Sequence, residues 1–198
     1  DELGFSFNSG DLLSLAFVHS SYVNENPAAF PESNERLEYL GDALVGLVVA
    51  HELYQRYPDR PEGYLTALRS ALVKGETLAL IADSLQLGQY LLMGKGEEAS
   101  GGRKRPSNLA ATFEALVGAV FLDRGYDEAR DFVLRVLSDA LSSVGKRISL
   151  KNSKSLLQEL VQGKGKAVPS YRIVEVTGED HARTFTVEVV VSGDVMGR

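Results

Sequence analysis

The sequence predicts an all-α domain followed by a smaller α+β domain. Apolar residues recur at helical spacing through most of residues 1–144, the mark of packed amphipathic helices. Beyond residue 152 the pattern becomes one short helix and then runs of β-branched and aromatic residues, which favour strands. The charge changes at the same place. Residues 1–145 carry 12 Lys and Arg against 21 Asp and Glu, a net of −9, while residues 146–198 carry 9 against 6, a net of +3. The expected division is a first domain at 1–145, a linker at 146–152 and a second domain at 153–198.

Taken in order, Asn8 to Tyr22 fits a capped helix followed by a turn. Glu35 to Arg56 is a long amphipathic helix, and Tyr57-Pro58-Asp59-Arg60-Pro61 ends it, because two prolines stop helix growth. Glu62 to Leu72 and Gly75 to Leu85 read as two further helices, and Gly88 to Met93 as an apolar connector. Gly94 to Pro106 is a polar, glycine-rich loop ending in the basic run Arg103-Lys104-Arg105. Such a run is usually solvated surface; the alternative is a contact to phosphates. Leu109 to Leu122 is a strongly apolar helix. Asp127 to Val144 is another, with acids in its first turn, where the helix dipole favours them.

In the second domain Ser153 to Gln162 reads as a helix, and Tyr171 to Thr177 and Thr184 to Ser192 as strands. Gly178-Glu179-Asp180-His181 fits the connection between those strands, and a third strand begins near Val195. One short helix on three strands leaves a sheet face to cover, so this domain reads as cut short.

At 44% hydrophobic and 24% charged, the composition is that of an ordinary soluble globular protein. No apolar run reaches the length of a membrane span, and Asp1-Glu2-Leu3-Gly4 lacks the features of a signal peptide. The chain has no cysteine, so disulfides, thiolate zinc sites and thiol nucleophiles are excluded. A cytoplasmic location is expected. With a net charge of −6, any nucleic-acid contact has to be local.

The chemistry lies in acids set among apolar residues. In Asn34-Glu35-Arg36-Leu37-Glu38-Tyr39-Leu40-Gly41-Asp42, Glu38 and Asp42 are four apart, so a helix puts both carboxylates on one face. Glu35 lies close to the same stripe. Glu114 sits in Leu109-Ala110-Ala111-Thr112-Phe113-Glu114-Ala115-Leu116, where a lone acid is either paired with a cation or is a metal ligand. Taken alone, this helix favours the ion pair. Small residues at 110, 111, 115, 118 and 119 admit a close helix neighbour. Glu38, Asp42 and Glu114 together, with no matching buried cations, favour a Mg²⁺ site, whose chemistry is that of phosphodiester hydrolysis.

These residues carry a resemblance. Glu35 to Ala43 resembles the signature of the ribonuclease III family at every position. His19-Ser20-Ser21-Tyr22 resembles its early His-x-Ser-Tyr segment. Gly94-Lys95-Gly96-Glu97-Glu98, with Gly101-Gly102-Arg103, resembles the loop before its last metal-binding helix, and Phe113 to Ala119 resembles that helix. The resemblance implies an all-α endonuclease domain that cuts double-stranded RNA with Mg²⁺, Mn²⁺ being a substitute. It implies a homodimer, 5′-phosphate products with two-nucleotide 3′ overhangs, and a role in rRNA and mRNA processing. By position Asp42 and Glu114 would be catalytic, and Glu38, Asp42 and Glu114 would hold the metal. Glu35 would lie in RNA-facing or dimer-facing surroundings, and Tyr39 would insert into the partner subunit at the dimer interface.

One position departs from the family. Ala111 stands three residues before Glu114, where the family usually has Asp. An alanine there fits an active natural variant, a weakened or inactive one, or an engineered change. The alternative function is a duplex-RNA-binding protein of the same fold that cuts weakly or not at all.

The second domain resembles the α-β-β-β-α double-stranded RNA-binding domain without its last helix. That resemblance rests on Ser153 to Leu160, Pro169-Ser170-Tyr171, Gly178 to His181 and Phe185-Thr186-Val187. It would place Ser155, Gln158, Glu159 and Gln162 against one minor groove and His181 at the next.

Overall fold

The computed structural model describes residues 4, 6–144, 157–158, 161–163, 165, 167–178 and 183–198. The chain divides into two compact units, Asp1–Gly145 and Lys146–Arg198. The linker expected at 146–152 lies outside the described residues.

The first unit is helical. Its main elements are α1 (Gly10–Ala16), α2 (Ser20–Glu25), α3 (Glu35–Arg56), α4 (Glu62–Leu72), α5 (Gly75–Ser84), α6 (Lys95–Ala99), α7 (Pro106–Arg124) and α8 (Tyr126–Val136). Short 3-10 turns lie at Leu87–Tyr90 and Gly102–Lys104. α3 and α4 have the bounds read from the sequence, because Pro58 and Pro61 leave no room to continue or merge them.

Three elements differ from expectation. The first predicted helix is two, broken at Phe17 to His19, where the backbone turns extended to bridge a distant segment: Val18 pairs with Leu92 in parallel. The polar loop contains α6. The last helix is interrupted at Leu137, and helical residues resume at 138–144.

α7 is the centre of the unit. Phe113, Leu116, Val117 and Val120 are fully buried, and α7 packs against α1, α3, α5 and α8, most extensively α3. A helix buried on most sides needs apolar residues around its whole circumference, which is why its sequence reads as almost continuously apolar. α3 buries a stripe that includes Leu37, Gly41, Leu44, Val45 and Val48, of which Leu37 and Gly41 meet α7 directly, and α8 adds Phe132 against Phe113 at 6.2 Å between ring centroids.

The α3–α7 contact is made by backbone. A Cβ at Gly41 would run into the carbonyl oxygen of Glu114, and one at Gly118 would run into that of Leu37. The two helices therefore cross in opposite directions at a separation only glycine permits. Among the described residues no helix is long and apolar enough to cross a membrane.

The second unit has one antiparallel sheet, ordered β1 (Ser170–Thr177), β2 (Thr184–Val191) and β3 (Asp194–Gly197). Ser170 pairs with Val190 and Thr177 with Thr184, with a bulge between Ile173 and Glu175. Ser192 and Gly193, at φ of 53° and 92°, make the β2–β3 turn, whose left-handed residues match the twist of paired strands. Leu157, Gln158, Val161 and Gln162 are helical, and Val161 and Val191 are buried. No helix follows β3 among the described residues. Ile173, Val176, Phe185, Val195 and Met196 are exposed, the uncovered apolar surface expected of a sheet with one short helix.

Candidate active site

The site forms where α3 and α7 touch. Glu35 and Glu38 lie in the first turn of α3, where the helix dipole tolerates negative charge. Asp42 lies one turn further, on the Glu38 face. Glu35 and Asp42 are exposed, and Glu38 and Glu114 are half-buried. Gly41, next to Asp42, meets the Glu114 backbone directly, so the three acids share one neighbourhood.

Their electrostatics show it. The Glu114 carboxyl is pushed up to about 7, first by burial, then by Asp42 and Glu38. Glu38 is also raised, by burial, Glu35 and Asp42 in that order. Among the described residues only burial and neighbouring acids act on these two groups, with no arginine or lysine offsetting them. Elsewhere acids are paired: Glu97 with Arg105, Glu98 with Arg103 at 2.7 Å, and Glu128 with Arg124 at 3.7 Å. The ion-pair reading of Glu114 therefore fails. Among the described residues no three acids or histidines are already drawn together as a ligand cage. An all-oxygen donor set of this kind suits a hard divalent cation. Ala111 is half-buried and lies one turn before Glu114, on the same side of α7.

A hydrogen-bonded frame surrounds the start of α7. The Gly94 N–H donates to Ser21 Oγ at 2.9 Å, and the Lys95 N–H donates to Glu25 at 3.1 Å. The Ser21 N–H donates to His19 Nδ1 at 3.1 Å. Glu97 accepts from Asn108 Nδ2 at 2.8 Å and from Arg105, fastening the loop to the first turns of α7. Each of these polar groups has its hydrogen-bond partner.

Both parts of the chain match known families. Residues 9–141 match the family pattern described as Ribonuclease-III-like, and residues 153–198 match the Double-stranded RNA binding motif. A Ribonuclease 3 of Dehalococcoides mccartyi is 43% identical over 194 residues, covering 98% of this chain and 82% of that protein. A Ribonuclease 3 of Treponema denticola is 44% identical over 196 residues, covering 99% and 79%. The chain belongs to the ribonuclease III family. Its activity is that of an endoribonuclease of this type, acting on double-stranded RNA.

Solved structures concur. The nuclease domain of Campylobacter jejuni ribonuclease III matches with a TM-score of 0.65 at 39% identity, covering 69% of this chain and 92% of that one. That structure is described for flexibility in a region involved in dimer formation. Dicer from Pichia stipitis matches with a TM-score of 0.55 at 27% identity, covering 98% and 86%.

Within the ribonuclease III fold the other expected residues fall as follows. Tyr39 is 81% exposed. Gln158 and Gln162 are exposed on the described part of the second unit's helix. Ser155, Glu159 and His181 lie outside the described residues.

The basic run has a structural task in two of its three members. Arg103 donates to the carbonyl oxygens of Gly88, Gln89 and Leu91, at 3.2, 3.3 and 2.6 Å, and pairs with Glu98. Arg105 pairs with Glu97 and reaches Ser100 at 2.9 Å. A phosphate would have to displace these partners. Arg103→Ala is expected to destabilise the chain by about 2 kcal/mol through the carbonyls left unpaired. Duplex affinity should stay within about twofold. Reduced affinity at an unchanged melting temperature would return Arg103 to phosphate binding.

Sequence reasoning missed this frame. The His-x-Ser-Tyr segment and the glycine-rich loop are each recognisable, but nothing in either says that Ser21 receives Gly94. The signal was the polarity of the loop, in which Glu97 and Glu98 precede Arg103 and Arg105 within reach of ion pairs.

Proposed function

We propose that Glu38, Asp42 and Glu114 hold a divalent cation, Mg²⁺ or its substitute Mn²⁺, and that Asp42 and Glu114 serve hydrolysis most directly. One observation carries this reading: at the helix crossing Gly41, beside Asp42, meets the Glu114 backbone, and there Asp42 and Glu38 raise the Glu114 carboxyl beyond what burial does. Three acids that oppose one another's ionisation gain most when a cation arrives. Mg²⁺ bound there supplies a water of lowered pKa and charge stabilisation at a phosphoryl oxygen. The chain's own part is to hold the carboxylates in place, which the glycine crossing and the loop frame support.

The working form is a homodimer in which each subunit cuts one strand, leaving 5′-phosphates and two-nucleotide 3′ overhangs. Tyr39, Leu47 and Tyr54, 81%, 55% and 72% exposed, lie within one face of α3. An apolar stripe of this kind suits a second copy of the chain, with Tyr39 inserting into it. In the second domain Ser155, Gln158, Glu159 and Gln162 meet one minor groove and His181 the next, reading A-form shape. Processing of structured rRNA and mRNA precursors in the cytoplasm belongs to the same reading.

Ala111 favours one rival, a duplex-binding protein that cuts weakly or not at all. The comparison of the parent with Ala111→Asp separates the two. The parent is expected to cleave a long RNA duplex, and Ala111→Asp is expected to lower the Mg²⁺ concentration for half-maximal rate on the order of tenfold. Cleavage by Ala111→Asp alone would mean that three acids do not suffice.

A further inference from the structure

Asn34 and Thr112 are the two buried polar side chains among the described residues. Thr112 bonds within its own helix, to the Asn108 carbonyl at 2.6 Å. Asn34 does something else. It stands at the N-cap of α3, where an asparagine normally accepts from the first turn's N–H groups. Here it makes no side-chain cap bond and sits in the right-handed helical region at φ −73°, ψ −4°. Ser33 Oγ takes the Glu35 N–H instead, at 3.4 Å. The Asn34 side chain, 4% exposed, turns inward and donates from Nδ2 to the Ala16 carbonyl at 3.1 Å. Its backbone N–H donates to the Val18 carbonyl at 2.8 Å.

The segment that receives both bonds is also tied to the loop ahead of α7. Leu92 N–H donates to the Phe17 carbonyl at 2.8 Å, and His19 N–H donates to the Leu92 carbonyl at 3.0 Å. Gly94, two residues on, is held by Ser21. One short stretch, from the end of α1 at Ala16 to His19, thus grips the start of α3 on one side and the approach to α7 on the other.

We infer that Asn34 is a positioning residue: its buried amide pins the first turn of α3 to the Ala16–Val18 segment and so sets where Glu38 and Asp42 stand against Glu114. Asn34, Glu38 and Asp42 are spaced by four, so a slide or tilt at Asn34 passes directly along that stripe. The inference rests on the assignment of these acids to the metal site. A displacement on the order of 1 Å costs up to about a hundredfold in rate, so an anchor this close matters.

The test uses the full chain with Mn²⁺ as probe. Asn34→Ala and Asn34→Ser are compared with the parent by calorimetric Mn²⁺ titration without RNA and by steady-state cleavage of a duplex. Leu137→Ala, at the fully buried residue that follows α8, controls for lost stability. The Asn34 variants are expected to bind Mn²⁺ on the order of tenfold more weakly and to lose kcat on the order of tenfold, with KM for the duplex within about twofold. Leu137→Ala should leave the Mn²⁺ affinity unchanged at a comparable fall in melting temperature. The serine variant keeps a donor of shorter reach and carries the comparison where alanine loses the fold. Parent-like Mn²⁺ affinity in the Asn34 variants, or an equal loss in Leu137→Ala, overturns the inference. Parent-like Mn²⁺ affinity in Glu114→Gln instead overturns the site assignment beneath it.

Discussion

Glu114→Gln is expected to reduce Mg²⁺-dependent cleavage of duplex RNA by at least the order of 10²–10³-fold, the scale on which removing one electrostatic stabiliser acts. The amide keeps the shape of the side chain and removes the charge, so the loss would measure the carboxylate. Cleavage at the parent's rate would remove Glu114 from the site. The same substitution has an opposite effect on stability. In the folded chain the Glu114 carboxyl titrates at about 7, against about 4.3 for an unperturbed glutamate. Between these values the folded chain keeps a proton that the unfolded chain has released, so this group's contribution falls as pH rises through the window. The cost is complete above about pH 7 and absent below about pH 4. Glutamine carries no such cost. Without divalent cations, Glu114→Gln should therefore melt higher than the parent near pH 8 and equal to it near pH 4. A gain independent of pH would place the stabilising effect outside this titration.

Gly41→Ala is expected to cost about 3 kcal/mol or more and to abolish cleavage. Its Cβ would occupy the place of the Glu114 carbonyl oxygen, backbone that cannot swing aside as a side chain can. The helices would have to part, and overpacking of this kind costs about 1–3 kcal/mol even where side chains can adjust. The same movement would separate Asp42 from Glu114. Gly63→Ala on α4 is the contrast, because its Cβ meets nothing within 4 Å. That substitution should be neutral or stabilise by less than about 1 kcal/mol. Equal melting temperatures for Gly41→Ala and the parent would mean the crossing has slack the geometry does not show.

The parts of the fold that were legible have local causes. α3 and α4 could be bounded because Pro58 and Pro61 act on their own neighbours. The acids could be singled out because carboxylates on an apolar helix are costly without a partner. What escaped depends on distant residues. The break between α1 and α2 exists because Val18 pairs with Leu92, and nothing near Val18 announces it. Arg103 read as surface charge until three carbonyl oxygens, at Gly88, Gln89 and Leu91, converged on it. Nothing near Asn34 announces that its side chain turns into the core to reach the Ala16 carbonyl.

The sequence by itself determined the two-part architecture, the membership of Glu38 and Asp42 in one face, and the oddity of Glu114. Each follows from periodicity and charge, which act over a few residues. Tertiary structure alone decided that Glu114 faces those two acids instead of an arginine. It did so through Gly41 and Gly118, which let two backbones meet, and the meaning of a missing Cβ depends on what packs against it.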